Sequence, residues 1–167
     1  MYNFHLPANT VPIQSVHNEG GFTMTTTDTI SLLRECNAGT QMAVFSINEI
    51  MENVKEPKLL ELLSAAKEQH ERLGNEIHVL LQQNGDETKD PGAVAKGMSW
   101  LKTNAKLALH DSDRVCAGLV TDGCHMGIKT IQRYLNEYLA ADKISVQRAQ
   151  ELIKIEEKLV EALKPYL

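Results

Sequence analysis

Four stretches of this chain carry apolar residues at intervals of three and four, the period that lines one face of an α-helix. A connection covering residues 86–111 separates the second stretch from the third. A chain patterned this way has four apolar stripes to bury, and packing four helices around a shared core buries all of them. The sequence therefore predicts an all-α four-helix bundle. The long connection lets the third helix run parallel to the second instead of folding straight back beside it.

The first stretch is predicted to start near Asp28, with Thr27 or Asp28 as its cap. Ile30, Leu33, Val44, Ile47, Met51 and Val54 form its stripe, which also passes through Asn37 and Thr40 beside Gly39. Lys55-Glu56-Pro57 ends it, because proline disfavours helical geometry in the preceding residue. The second stretch takes Pro57 into its first turn. It aligns Leu59, Leu63, Ala66, Leu73, Ile77 and Leu80, places His70 within the same stripe, and closes at Asn84-Gly85. A helix of the connection is expected from Asp90-Pro91, with Val94, Met98, Leu101, Ala105 and Ala108 on one face and Trp100 beside it. The third stretch opens on the capping cluster Asp111-Ser112-Asp113 and carries Val115, Leu119, Met126, Ile131, Tyr134 and Tyr138. Gly118, Gly123 and Gly127 interrupt it. Each costs about 1 kcal/mol against alanine in a helix, so three together point to close approach by a ligand or, as the favoured reading, by a neighbouring helix. The fourth stretch runs from about Ser145, its expected cap, to Leu163. Val146, Ala149, Ile153, Val160, Leu163 and Leu167 are in phase, and so is Glu156.

Composition agrees. Of the 167 residues, 43% are hydrophobic and 23% charged, near the globular average, and only 5% are aromatic. A net charge of −5 without a basic block lacks the electrostatic footprint of a nucleic-acid-binding protein. No apolar run approaches the roughly 20 residues of a membrane span. Three cysteines (Cys36, Cys116 and Cys124) without a CxxC pair fit neither a disulfide framework nor a Cys-rich zinc site, and suit a reducing cytoplasm.

Residues 1–23 have no helical period, and carry two prolines and the Gly20-Gly21 pair. They are expected to be a disordered tail ahead of a single domain over residues 24–167. Glu19-Gly20-Gly21 can be encoded by a purine-rich run, and Phe22-Thr23 then spaces it from Met24. This is how a translated bacterial ribosome-binding site would read, with Met24 as the true start.

From Leu32 to Leu167 the chain resembles a family of bacterial ferritin-like bundles, domain of unknown function 2383, and its Firmicutes relatives in particular. The motifs are Asn37-Ala38-Gly39, the Glu56-Pro57 turn, Leu73 to Gly85, Ser99-Trp100-Leu101-Lys102, Gly123-Cys124-His125-Met126-Gly127-Ile128-Lys129 and Ile155-Glu156-Glu157-Lys158-Leu159. The resemblance implies a ferritin-like fold with a helical crossover between the second and third helices. It carries no settled activity.

A ferritin-type di-iron centre takes one Glu from each of two helices and a Glu-x-x-His pair from each of the other two. The second stretch offers Glu68, His70 and Glu71 but no such pair, and the fourth has no histidine at all. The one acid-x-x-His in the bundle, Asp122 to His125, lies on the third. A reduced centre remains conceivable, in which His70, Asp122, His125 and Glu156, with Asn37 or Thr40 nearby, hold a single iron or zinc ion. The competing expectation is a plain buried hydrogen bond between His70 and Glu156. His78 should lie off the stripe, at the surface. Cys36 and Cys116 read as small core residues. Cys124 as a nucleophile would need a thiol titrating well below about 8.5. It would find no help from His125, since adjacent helix residues point about 100° apart.

No motif fixes a reaction, so the sequence favours a non-enzymatic bundle without a cofactor, acting through a homodimer or another protein partner. Metal or small-ligand binding by a degenerate centre is the alternative.

Overall fold

The computed structural model describes residues 26–86, 99 and 112–167. Four α-helices make up the bundle: α1 (Thr27–Met51), α2 (Pro57–Gln83), α3 (Asp113–Glu137) and α4 (Lys143–Leu163), with a final 3₁₀ turn at Lys164–Tyr166. No strand occurs among the described residues, and no helix among them is long and apolar enough to cross a membrane. The tail, Met24, Trp100 and the expected crossover helix all lie outside the described residues.

Helix boundaries follow local chemistry. Thr26, one residue ahead of the expected cap, accepts from Thr29 N–H through its side chain. Glu56 caps α2 with Pro57 in the first turn, and Gly85 takes φ +74° just beyond its end. Ser112 caps α3 as expected. Asp142, not Ser145, caps α4, moving its start back to Lys143. These caps also join the helices. Thr29 Oγ1 accepts from Asp142 N–H, and Asp28 accepts from Ala140 N–H, so the start of α1 holds the α3–α4 turn. At the opposite end the Asp113 carboxylate accepts from Lys55 N–H.

Two core clusters fix the helix directions. One gathers the end of α1 (Ile47, Ile50), the start of α2 (Leu59, Leu63), the start of α3 (Cys116, Val120) and the end of α4 (Leu159, Leu163). The other gathers the opposite ends: Leu32 and Cys36, Leu73 and Ile77, Ile131, and Ala149 and Leu152. Helices α2 and α3 therefore run parallel. That is the topology the long connection predicts. Helix α1 packs most extensively on α2, and α3 on α4; α1 also meets α3 and α4, and α2 meets α4.

The apolar phase is legible but not uniformly so. On α2 every expected stripe residue is buried except Leu80, whose place is taken by Leu81. On α3 the buried face belongs to the smaller Cys116, Ala117, Val120, Thr121 and Cys124 together with Ile131, while Met126 is 40% exposed. On α4, Leu152, Ile155 and Leu159 are buried alongside Ala149 and Leu163, and Leu167 is half exposed. His78 is half-buried.

The glycines correct the packing expectation on α3. A Cβ on Gly118 or Gly123 would meet nothing within 4 Å, so neither admits a neighbouring helix. A close helix approach occurs at Gly74, where a Cβ would fall 2.8 Å from Thr40 Oγ1. Gly118→Ala should stabilise the bundle by about 0.5–1 kcal/mol through helix propensity, whereas Gly74→Ala should destabilise it by about 1–3 kcal/mol through overpacking. Urea denaturation of the two variants checks the contrast.

Candidate functional site

Helices α1 and α3 do not close on each other along their middle turns. Between them lies a cavity of about 580 Å³. Its walls are lined by small residues, including Ala38, Gly39 and Ala43 on α1 and Gly123 and Gly127 on α3. Its floor comes from the other two helices: His70 of α2, and Leu152 and Glu156 of α4. The size suits a small organic molecule.

The floor is polar where a core is normally apolar. His70 is 1% exposed and Glu156 5%. His70 Nδ1 lies 2.8 Å from the Ala66 carbonyl oxygen, so its N–H donates to the backbone and the neutral ring presents Nε2 as an acceptor. That Nε2 has no hydrogen-bond partner, and neither does Glu156 Oε2. The expected His70–Glu156 hydrogen bond is therefore not made. Each side chain reaches the cavity floor on its helix's buried stripe, from different helices, and the two orphaned atoms are themselves buried.

Gly127 explains how Glu156 fits. A Cβ there would come within 2.4 Å of Glu156 Oε1, so the carboxyl lies against bare α3 backbone that any other residue would cover. Here the close approach expected of an α3 glycine is made, by an α4 side chain, and Gly127 also lines the cavity. The signal for it was present in sequence, as a glycine on a helix facing an in-phase glutamate, but sequence alone could not pair the two.

Burial sets the protonation states. Desolvation raises the Glu156 carboxyl from 4.5 to about 8 and lowers the His70 imidazole below its usual 6.5, the Ala66 contact opposing the latter. Both groups are thus neutral near pH 7. Burial, reinforced by Glu156, pushes the Cys124 thiol up to about 12. Burial also takes Cys36 to about 12, with Glu35 and Glu156 adding to it. Neither thiol is a nucleophile at physiological pH, contrary to the condition a Cys124 enzyme requires.

At the mouth, Tyr134 and Tyr138 stack with ring centroids 5.6 Å apart, and Glu35 lies near Tyr134. Arg34 also lines the cavity, and its guanidinium holds the Asp86 carboxylate through two N–H groups.

Of the four candidate metal ligands, His70 and Glu156 meet at the cavity floor, while Asp122 and His125 are exposed on α3 and do not line it. Among the described residues no group of three or more His, Cys, Asp or Glu side chains is placed to share a metal ion. Asn37 and Thr40 stay out of the cavity, with Thr40 Oγ1 donating to the Asn37 carbonyl.

This arrangement defines the chain as an all-α four-helix bundle with a buried polar pair beneath a cleft. No family model, curated protein or solved structure matches the chain.

Proposed function

We propose that the protein binds a small organic ligand in the α1–α3 cleft, descending from or resembling the ferritin-like bundles of domain of unknown function 2383. The observation that carries this reading is the pair of orphaned atoms, His70 Nε2 and Glu156 Oε2, at the floor of the cavity. Buried polar atoms in native proteins nearly always have a partner, and leaving one unpaired costs about 1–3 kcal/mol. A sequence that maintains two such atoms beneath an open cleft gives up stability that apolar residues would supply, which is the usual signature of a site.

The test fills the cavity. Wild-type protein should bind the uncharged solvatochromic dye Nile red with a blue-shifted emission, and Ala43→Trp should weaken that binding at least tenfold while leaving the helical circular dichroism unchanged. Equal dye binding by both proteins would remove the cleft as the site.

Self-association is a second reading, supported by a separate observation. Leu139 is 82% exposed and Ile144 51%, and both flank the α3–α4 turn. Isolated exposed apolar residues are common, but two large ones at one turn suit a symmetric contact with a second copy or a protein partner. Leu139→Glu should convert any dimer to monomer by light scattering; an unchanged mass for a dimeric wild type would exclude this contact.

A further inference from the structure

We propose that the ligand of the cleft is an amphiphilic primary amine, with its ammonium group on His70 Nε2 and the Glu156 carboxyl and its apolar body running between α1 and α3. This rests on the cleft-binding reading above and specifies its chemistry.

The first argument is the hydrogen-bonding character of the floor. His70 has committed its one N–H to Ala66, so toward the cavity it only accepts. Glu156 presents an unpartnered carboxyl oxygen from the opposite helix pair. His70 Nε2 requires a donor from the ligand head; an ammonium supplies three, and its charge draws the proton from the Glu156 carboxyl, which otherwise holds it near pH 7. A carboxylate or phosphate head supplies no donor for His70 Nε2.

Charge around the cleft points the same way. Among the described residues lining it, Arg34 is the one permanently cationic side chain, and its charge is met by Asp86. Glu35 places a further acid toward the mouth beside Tyr134. A cation entering here passes acids and aromatic rings, and its charge offsets the desolvation of the Glu156 carboxylate. An anion finds no positive side chain other than Arg34 among the described residues that line the cavity, although the Arg133 guanidinium lies 4.8 Å from the Tyr134 ring.

The walls require the remainder of the ligand to be apolar. Met42, Ile47, Ile50, Leu119, Ile131 and Leu152 line the cavity. Each methylene of a ligand buried among them contributes about 0.8 kcal/mol. A bare metal ion would leave these walls uncovered. It would also have only His70 and Glu156 as protein ligands at the floor, where zinc sites use three or four.

The experiment compares three ligands that share one tail. Octylamine, 1-octanol and octanoate are titrated into the full-length protein at neutral pH by calorimetry, with zinc chloride as a separate titrant. Octylamine should bind at least tenfold more tightly than 1-octanol, and octanoate most weakly. Glu156→Gln should abolish the preference of octylamine over 1-octanol while retaining 1-octanol binding, which shows that the cleft is intact in the variant. Binding of 1-octanol as tight as octylamine, or tighter binding of octanoate, would overturn the amine assignment and leave the cleft reading standing. Stoichiometric zinc binding lost in His70→Ala, with no amine preference, would replace the amine by a metal. If none of the three organic ligands bound and Nile red were also unaffected by Ala43→Trp, the cleft reading itself would fall.

Discussion

Glu156→Gln should make the bundle more stable than wild type at pH 8, by an amount that shrinks as the pH falls. The carboxyl titrates near 4.5 when unfolded and is raised to about 8 by burial in the folded protein. Between those values the unfolded state has released a proton that the folded state retains. Folding stability therefore falls as pH rises through this window, by about 1.4 kcal/mol per pH unit for one proton. His70 acts in the opposite sense. Its folded imidazole is held below 6.5, so below that pH the unfolded state takes up a proton the folded state refuses, and stability is lost as pH falls. From 4.5 to 6.5 the two slopes oppose each other. Above 6.5 Glu156 acts alone, and its neutral amide replacement should gain about 2 kcal/mol over wild type between pH 6.5 and 8. Urea titrations of both proteins at pH 5, 6.5 and 8 give the result directly. A difference that does not change with pH would show that the carboxyl is not buried.

The double substitution His70→Leu with Glu156→Leu should have the larger total effect. It removes two buried polar atoms without partners, each costing about 1–3 kcal/mol, and adds apolar surface to a floor already flanked by Leu152. Replacing a buried polar group by an apolar one of similar volume is often stabilising. The variant should gain about 3–5 kcal/mol at neutral pH, seen as a higher urea midpoint with an unchanged slope. It should lose the preference for octylamine entirely. Stability and binding would then move in opposite directions, as expected where a site has been kept at the expense of the fold. A less stable double variant would mean that the two side chains hold the core together, and the ligand reading would lose its basis.

The sequence resolved some of this well. The second helix was legible because it alternates cleanly between large apolar residues and charges, so His70 could be placed in the core between Ala66 and Leu73, and Glu156 followed from the phase of α4. The parallel run of α2 and α3 was legible from the length of the connection. The third helix was not. Its buried face consists of Cys116, Ala117, Val120 and Cys124, small residues with weak apolar signal, while the larger Leu119, Met126, Tyr134 and Tyr138 line the cavity. A hydropathy stripe follows the bulkiest residues, which on this helix face the cavity, and of them only Ile131 is buried. The same smallness leaves the space between α1 and α3 unfilled, so the feature that hid the core of α3 also created the cleft. The Asp122 and His125 positions show the limit of spacing arguments: the i, i+3 relation puts both on one face, but spacing does not say whether that face looks inward, and both are exposed. The α4 cap is Asp142, whose carboxylate accepts from Ser145 N–H, and Thr29 on a distant helix accepts from the Asp142 N–H, a contact no local pattern contains.

The most direct measurement is a carbon-13 titration of the Glu156 side-chain carboxyl by nuclear magnetic resonance, assigned with Glu156→Gln, in refolded protein cleared of small molecules. A buried carboxyl beneath the α1–α3 cleft should titrate with a midpoint near 8, and octylamine should drive it toward the ionised form at neutral pH. A midpoint at the ordinary value of 4.5 would place Glu156 in water and contradict the account.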